Sequence, residues 1–179
     1  MQATIKAYGA PYCLINNASI YPRASVLEME LETWERTFKV NITAPWLLAK
    51  AFAPAMIEAR RGVIINIASG RALEGAAKGA NYACTKAAIL SLTKTLAIEW
   101  AKHNVRCNAI IPGVSFTAQP LEATTPEELL ARGKARIPLG RVGYPADMAG
   151  LAWYLASADA AYMTGQGVAM NGGMVLVPQ

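Results

Sequence analysis

The chain has 179 residues, of which 54% are hydrophobic and 16% are charged, and its formal net charge is +5. This length suits one domain around a single core, and the hydrophobic content excludes a disordered chain. Residues 60–106 hold eight Lys or Arg against two Glu, but these bases form neither a run nor a strip interleaved with aromatic residues. The charge therefore does not indicate nucleic-acid binding.

Short apolar runs alternate with long helical stretches along the chain. Residues 1–10 lack the apolar core of a signal peptide, and no run of 18 apolar residues predicts a membrane span. Strands are predicted at residues 12–16, 62–69, 105–111 and 167–173, and helices at residues 31–60, 79–102, 126–136 and 145–157. Strands separated by helices predict βαβ units, and hence an α/β fold with a parallel sheet covered on both faces.

The two longest predicted helices are apolar on nearly every side. We expect helix 31–60 to kink where Pro45 follows Asn41, because proline cannot donate a backbone hydrogen bond. A surface helix needs only one apolar stripe, so helices 31–60 and 79–102 are predicted to be buried on two sides. The sheet supplies one side, and a second copy of the chain is predicted to supply the other in a homo-oligomer.

The three cysteines, Cys13, Cys84 and Cys107, lie in apolar stretches and show neither a paired nor a metal-ligand spacing. Disulfides persist mainly in oxidising compartments. We therefore expect buried, reduced thiols and no metal site, as is typical of a cytoplasmic protein.

Ligands of a parallel α/β sheet bind beyond the carboxyl ends of its strands. The predicted strands end near Asn16, Ser69, Ile111 and Asn171. Polar or turn-forming residues stand at or just after these positions. The sequence therefore predicts a ligand site along this edge of the sheet.

Tyr82 and Lys86 lie four residues apart in predicted helix 79–102. Positions i and i+4 share one helix face, so the ammonium is expected close to the phenol. A phenol with its ordinary pKa of about 10 is a poor acid–base group at neutral pH, and a nearby ammonium lowers that pKa by favouring the phenolate. Taken alone, the pair is equally compatible with an ordinary pair on a helix surface.

Other residues complete a pattern around this pair. They are Asn16, Asn17, Ala18 and Ser19 after the first strand, Asn41 in the first long helix, Ser69 at the end of the second strand, Pro112 and Gly113 after the third, and the late Gly172 and Gly173. In this order, the chain from about Ala10 onward resembles the short-chain dehydrogenase/reductase family. The stretch GRVGYPADMAGLAWYLASADAAYMTGQGVAMNGG is similar to the tail of ketoacyl-reductase-like members.

The resemblance implies a Rossmann-type doubly wound parallel sheet and NAD(P)-dependent interconversion of a hydroxyl and a carbonyl by hydride transfer. It implies that Tyr82 is the acid–base group and that Lys86 tunes it and hydrogen-bonds the nicotinamide ribose. It further implies that Ser69 holds the substrate oxygen. Asn41 would support the kinked helix and a water that links Lys86 to solvent.

The resemblance also implies a set of contacts to NAD or NADP. Besides Tyr82 and Lys86, the cofactor-binding residues would be Asn17, Ala18, Ser19, Pro112, Gly113, Ser115 and Thr117. Ser19 departs from the family glycine, and a side chain there crowds the approach of a cofactor to the backbone.

The family's first strands and Gly-rich phosphate loop have no counterpart in this sequence. The strand at 12–16 corresponds to the family's fourth strand, so an N-terminal βαβαβ portion is expected to be absent. Residues 12–16 would then form an uncovered apolar edge of the sheet. The residue that separates NAD from NADP belongs to the same portion, so the sequence does not choose between them.

Two interpretations follow from this. In the first, the sequence is part of a longer, active oxidoreductase. In the second, it is a non-catalytic fragment that acts as a dimerisation or interaction module. The presence of Asn41, Ser69, Tyr82 and Lys86 together favours the first, because a binding module needs no acid–base pair. The substrate is not indicated, although Arg71 and Lys78 in a predicted pocket loop are compatible with an anion.

Overall fold

The computed structural model describes residues 2–175. Its strands are β1 (Cys13–Asn16), β2 (Gly62–Ile67), β3 (Val105–Pro112) and β4 (Gly167–Met170). Its α-helices are α1 (Gln2–Tyr8), α2 (Leu31–Phe38), α3 (Ala44–Glu58), α4 (Arg71–Glu74), α5 (Ala80–Trp100), α6 (Ala118–Leu121), α7 (Pro126–Arg136) and α8 (Pro145–Ala156). A π-helical segment, Lys39–Thr43, joins α2 to α3, and 3-10 turns cover Ala101–His103 and Ala158–Ala160.

The four strands form one parallel sheet in the order β1-β2-β3-β4. The predicted α/β fold with a parallel sheet is therefore confirmed. β1 lies at one edge of the described sheet, as expected, and its Ile15 is 50% exposed. Because all strands run in the same direction, their carboxyl ends lie along a single edge.

Alternating residues of β2 face two different helical layers. Ile64 packs with Met56 of α3 and Leu96 of α5 on one face of the sheet. Val63 and Ile65 pack with α8 residues, among them Leu155, on the other face. Successive side chains of a strand point to opposite faces, so a strand buried on both sides is apolar throughout. This explains why β2 has no polar residue before Asn66.

Buried asparagines join the strand ends near the site. Asn16 Nδ2 donates a hydrogen bond of 2.8 Å to Asn66 Oδ1 across β1 and β2. Asn66 Nδ2 in turn donates to Thr93 Oγ1 on α5 at 2.9 Å. Since an unpaired polar group in the core is costly, these bonds fix α5 relative to the carboxyl ends of the strands.

The kink predicted at Pro45 takes the form of the π-helical segment Lys39–Thr43. Pro45 has no backbone N–H and cannot donate to the carbonyl of Asn41, four residues earlier. In the wider π turn, hydrogen bonds span five residues, and the Ala44 N–H donates to the Lys39 carbonyl. The chain therefore passes the proline without ending the helical path, and Asn41 is buried within the widened turn.

The helix bounds otherwise follow the prediction closely at α7 and α8, whereas α1, α4 and α6 are not predicted from the sequence. These three helices are short, with four to seven residues each. A segment of that length contains too little apolar periodicity to be recognised.

One helical run in the described part of the chain, Leu31–Glu58, is long and apolar enough to cross a membrane by length and composition alone. Within it, Ala49 and Met56 are buried in the core against Ile64 of the sheet. A core helix has the same composition as a membrane span, so this run is only weak support for a membrane association.

The cysteines differ from the expectation of three buried thiols. Cys107 is buried on β3 and Cys13 is half-buried on β1, but Cys84 on α5 is exposed. The prediction for Cys84 is wrong because Cys84 and Ala87 lie on the exposed side of α5, whereas the adjacent Ala83 and Thr85 are buried. All three thiols are free.

Candidate active site

The carboxyl edge of the sheet borders a cavity of about 710 Å³. Small-molecule and cofactor sites commonly enclose roughly 300–1,000 Å³. Nine of the residues assigned from the sequence line it: Asn17, Ser19, Ser69, Tyr82, Lys86, Pro112, Gly113, Ser115 and Thr117. Ala18 and Asn41 are not among its lining residues.

Tyr82 lies in the first turn of α5 and is 6% exposed. The first N–H groups of a helix lack partners within the helix, and Asn81 Oδ1 accepts the Tyr82 N–H at 2.8 Å. Burial raises the pKa of the Tyr82 phenol above its ordinary value. The side chains of Ser69 and Gln119 oppose this shift without cancelling it, so the phenol is protonated at neutral pH.

Lys86 lies one turn further along α5 and is 3% exposed. Its Nζ donates a hydrogen bond of 2.7 Å to the carbonyl oxygen of Ile67 and lies 5.5 Å from the centroid of the Tyr82 ring. Burial lowers the pKa of Lys86 to about 8. The predicted lowering of the Tyr82 pKa by Lys86 is not found, because desolvation of the phenol dominates and the ammonium is directed at Ile67.

Ser69 follows β2 by two residues and is separated from α4 by Gly70. Its Oγ accepts a hydrogen bond of 3.2 Å from the backbone N–H of Arg71. The next residue, Gly70, donates its N–H to the Pro112 carbonyl at 3.2 Å, which ties this turn to the end of β3. The Ser69 hydroxyl is thereby held close enough to Tyr82 to act on its pKa.

Asn41 lies behind the cavity wall and is 1% exposed. Its Oδ1 accepts the N–H of Ile20 and its Nδ2 donates to the Ile20 carbonyl, both at 2.9 Å. Nδ2 also donates to Thr85 Oγ1 at 3.1 Å. The side chain therefore joins the loop after β1 to the helix that carries Tyr82 and Lys86.

The turn after β3 requires the glycine at position 113. A Cβ on Gly113 would lie 2.7 Å from the Asn171 Cα and 2.8 Å from its Cβ, closer than atoms can approach. The turn can therefore pass beside the end of β4 only without a side chain. This close approach places Ser115 and Thr117 on the cavity wall.

The residues present fit the nicotinamide end of NAD or NADP. The Lys86 ammonium and the hydroxyls of Ser115 and Thr117 offer donors to a ribose and a carboxamide on one wall of the cavity. Ser19, which replaces the family glycine, lines the same cavity, and its half-buried hydroxyl leaves the cavity open. These are the side chains that would hold the nicotinamide end of the cofactor.

Tyr21, Arg23, Gln119 and Arg132 also line this cavity, although the sequence named none of them individually as a site residue. Tyr21 and Arg23 lie in the long loop between β1 and α2, and Arg132 lies on α7. None belongs to a motif or follows a predicted strand. They are recognised only from the tertiary structure, in which the loop after β1 and α7 both lie beside Tyr82.

The chain matches, over residues 1–175, a family model described as enoyl-(acyl carrier protein) reductase. It is 35% identical over 176 residues to 3-oxoacyl-(acyl-carrier-protein) reductase FabG of Thermotoga maritima, covering 98% of this chain and 71% of that protein. It is also 38% identical over 181 residues to the inactive 2-(S)-hydroxypropyl-CoM dehydrogenase 2 of Xanthobacter autotrophicus, covering 99% and 79%.

Solved structures agree with this similarity. 4-Hydroxyisoleucine dehydrogenase complexed with NADH superposes with a TM-score of 0.86 at 32% identity, covering 97% of this chain and 73% of that one. A gluconate 5-dehydrogenase from Burkholderia cenocepacia in complex with NADP and tartrate superposes with a TM-score of 0.92 at 31% identity, covering 97% and 68%. One of these relatives binds NADH and the other NADP.

Proposed function

The chain belongs to the short-chain dehydrogenase/reductase family, and on that premise we propose that it is an NAD(P)-dependent oxidoreductase that interconverts a hydroxyl and a carbonyl with Tyr82 as its acid–base group. The observation that carries this function is the cavity at the carboxyl edge, where Ser69, Tyr82 and Lys86 meet. A relative described as inactive is similarly close in sequence, so the proposed activity rests on these side chains and not on the similarity alone.

The side chains divide the chemistry between them. When bound, the nicotinamide ring supplies the hydride for reduction or accepts it in oxidation. Tyr82 donates its phenolic proton to the substrate oxygen as a carbonyl is reduced, and its phenolate accepts the hydroxyl proton in the reverse direction. Ser69 donates a hydrogen bond that holds the same oxygen beside the phenol. Because burial raises the pKa of Tyr82, neutral pH favours the protonated form that reduction requires.

Lys86 and Asn41 support this chemistry in different ways. The Lys86 ammonium offers donors to the nicotinamide ribose while its bond to Ile67 holds it in place. Asn41 does not line the cavity, so its proposed contribution is to position the loop after β1 and, through Thr85, the helix of Tyr82. We also propose a water relay near Asn41, because Pro45 cannot donate a backbone hydrogen bond to the Asn41 carbonyl.

The test is turnover in the purified chain and in Tyr82→Phe. We expect NADH or NADPH to bind the parent and to be oxidised in the presence of a ketone panel. Tyr82→Phe is expected to lower turnover by roughly 10²–10⁴-fold while leaving nicotinamide affinity nearly unchanged, because the ring is retained. Tyr162→Phe is the matched control, since Tyr162 is fully exposed. Equal turnover in Tyr82→Phe and the parent would contradict the proposal.

The charge of the cavity favours an anionic substrate. Arg23, Arg71 and Arg132 line it against the single acid Glu74, to which Arg71 is paired at 3.5 Å. Lys78, the other base considered from the sequence, is not a lining residue. Two related structures are complexes with a dicarboxylate as well as a cofactor: one with NADH and succinate, the other with NADP and tartrate. A ketone or alcohol that carries a carboxylate or phosphate is therefore the proposed substrate class.

The proposed assembly is a homo-oligomer through the predicted helices 31–60 and 79–102. Trp46, Leu47 and Leu48 on α3 are 42–50% exposed, and Ile98 on α5 is 81% exposed. Exposed apolar side chains on adjacent helices are typical of an interface. We expect Leu47→Glu to lower the molar mass measured by light scattering, whereas an unchanged mass would exclude this surface.

A cytoplasmic location is proposed from the three free thiols.

The same experiments distinguish the oxidoreductase from the alternative function, a non-catalytic dimerisation module. It predicts a folded oligomer that binds neither NADH nor NADPH and has no turnover with any member of the panel. Binding of either nucleotide by the parent chain excludes it.

A further inference from the structure

Tyr21 covers one face of the Tyr82 ring. The two rings are stacked, with centroids 4.2 Å apart and 17° between their planes. The guanidinium carbon of Arg23 lies over the Tyr21 ring, 4.8 Å from its centroid. Lys86 Nζ lies over the Tyr82 ring at 5.5 Å. Cations are attracted to aromatic faces, so both contacts stabilise the stacked pair.

Buried asparagines fix the backbone on both sides of Tyr21. Asn41 forms two hydrogen bonds with the backbone of Ile20, as donor and acceptor, both at 2.9 Å. Asn81 Nδ2 donates to the Pro22 carbonyl at 3.2 Å. Asn41 is 1% exposed and Asn81 is fully buried. Tyr21 therefore cannot move away from Tyr82 unless buried polar groups lose their partners, which is costly.

Gly79 provides the space for the Tyr21 ring. A Cβ at position 79 would lie 2.5 Å from the Tyr21 Oη and 2.7 Å from a ring carbon. The ring is rigid, so it would have to shift as a whole. The φ of Gly79 is −153°, outside the left-handed region that favours glycine, so the reason for glycine that the structure shows here is the space taken by the Tyr21 ring.

We propose that Tyr21 is a positioning residue for Tyr82, which fixes the plane of the phenol and excludes water from its covered face. The inference rests on the proposed acid–base role of Tyr82. Because one ring face is covered, a substrate oxygen reaches the phenol at its hydroxyl, on the side of Ser69 and Gln119. Stacking requires the ring of Tyr21 and not its hydroxyl, so phenylalanine at position 21 suffices.

Several charged and titratable groups surround this stack. They are Arg23 and Tyr21 in the loop after β1, Arg71 and Glu74 on α4, Lys86 on α5, and Arg132 on α7. Burial is the largest cause of the raised Tyr82 pKa, and Tyr21 acts in the same direction. Removal of the Tyr21 ring admits water to the phenol and leaves the opposing charge of Arg71 in place. The pKa of Tyr82 is then expected to fall.

The test is a pH titration of the full chain with tyrosine labelled with ¹³C at Cζ, followed by NMR. Tyr82→Phe assigns the Tyr82 resonance. In Tyr21→Leu, we expect this resonance to begin moving at a lower pH than in the parent. Tyr21→Phe keeps the ring and loses only the charge of the Tyr21 phenolate, so its Tyr82 resonance is expected to begin moving between the pH of the parent and that of Tyr21→Leu. Gly79→Ala displaces the ring without altering Tyr21 itself, and a downward shift is expected there as well.

A Tyr82 titration that is the same in Tyr21→Leu and Gly79→Ala as in the parent would overturn the proposal. If Tyr21→Leu does not fold, Gly79→Ala decides by itself. This measurement needs neither cofactor nor turnover, so its failure is distinct from a failure of the proposed oxidoreductase activity. In the active chain, Tyr21→Leu is expected to lower kcat and to leave the KM for the nicotinamide unchanged, whereas Tyr21→Phe retains kcat.

Discussion

The Nζ atom of Lys86 lies 2.7 Å from the carbonyl oxygen of Ile67, and the lysine is only 3% exposed. Lys86 lies in α5 one turn after Tyr82, and its buried ammonium donates a hydrogen bond to the last residue of β2. Burial of that charge lowers the pKa of Lys86 to about 8 from the model-peptide value of 10.5. The same burial makes the stability of the chain dependent on pH.

Lys86→Met is expected to remove a specific pH dependence of stability. Between pH 8 and 10.5 the unfolded chain keeps the Lys86 proton while the folded chain loses it, so the free energy of unfolding rises with pH. Relative to Lys86→Met, the parent is expected to gain about 3 kcal/mol across this window. Denaturant unfolding of both chains at pH 7, 8, 9 and 10.5 measures the difference. If the free energies of unfolding of the parent and Lys86→Met differed by the same amount at every pH, this pH dependence could not come from Lys86.

Asn41→Ala is expected to destabilise the chain by about 2–4 kcal/mol, because the Ile20 N–H and carbonyl and the Thr85 hydroxyl lose a buried partner. Thr85→Val is the control: it removes one bond from Asn41 and the bond that Thr85 Oγ1 donates to the Tyr82 carbonyl, and it is expected to cost about 1–2 kcal/mol. Urea unfolding of both variants gives the values. Equal, small losses would mean that Asn41 does not position the loop after β1.

Gly62→Ala and Gly150→Ala are expected to change stability in opposite directions. A Cβ on Gly62 would lie 2.7 Å from the Met56 Cβ, and overpacking of this kind costs about 1–3 kcal/mol. A Cβ on Gly150, in α8, meets no atom within 4 Å, and alanine there is expected to add about 0.5–1 kcal/mol. The melting temperature is expected to fall in Gly62→Ala and to rise in Gly150→Ala. A higher melting temperature in Gly62→Ala would contradict the packing between β2 and α3.

Arg132→Gln tests the proposed anionic substrate. If the guanidinium binds a carboxylate or phosphate, its loss is expected to raise the KM for a charged ketone roughly tenfold and to leave a neutral ketone unaffected. Lys134→Gln lies on the same helix outside the cavity and serves as the control. Parallel increases in KM for charged and neutral ketones would argue against an anionic substrate.

The fold class, the parallel sheet and the bounds of α7 and α8 were predictable from the sequence. The signals are local: apolar runs of strand length, helical periodicity, and Pro126 and Pro145 at the starts of helices. The candidate residues Ser69, Tyr82 and Lys86 were also recognisable, but only through their order along the chain with Asn41 and the strand-end motifs, which resembles the family pattern. Each of these features is set by neighbours in the chain.

The tertiary structure alone decided the environment of these residues. Tyr21 reaches Tyr82 because the loop after β1 is held by Asn41 of the π turn and by Asn81 at the start of α5. Gly79, just before α5, leaves the space for the Tyr21 ring. No sequence spacing encodes that convergence. The direction of the Tyr82 pKa shift likewise depends on burial, a property of packing between distant segments, whereas the sequence shows only that a lysine is near. Local propensity therefore determined the elements and the reactive groups, and desolvation and contact between elements determined how those groups behave.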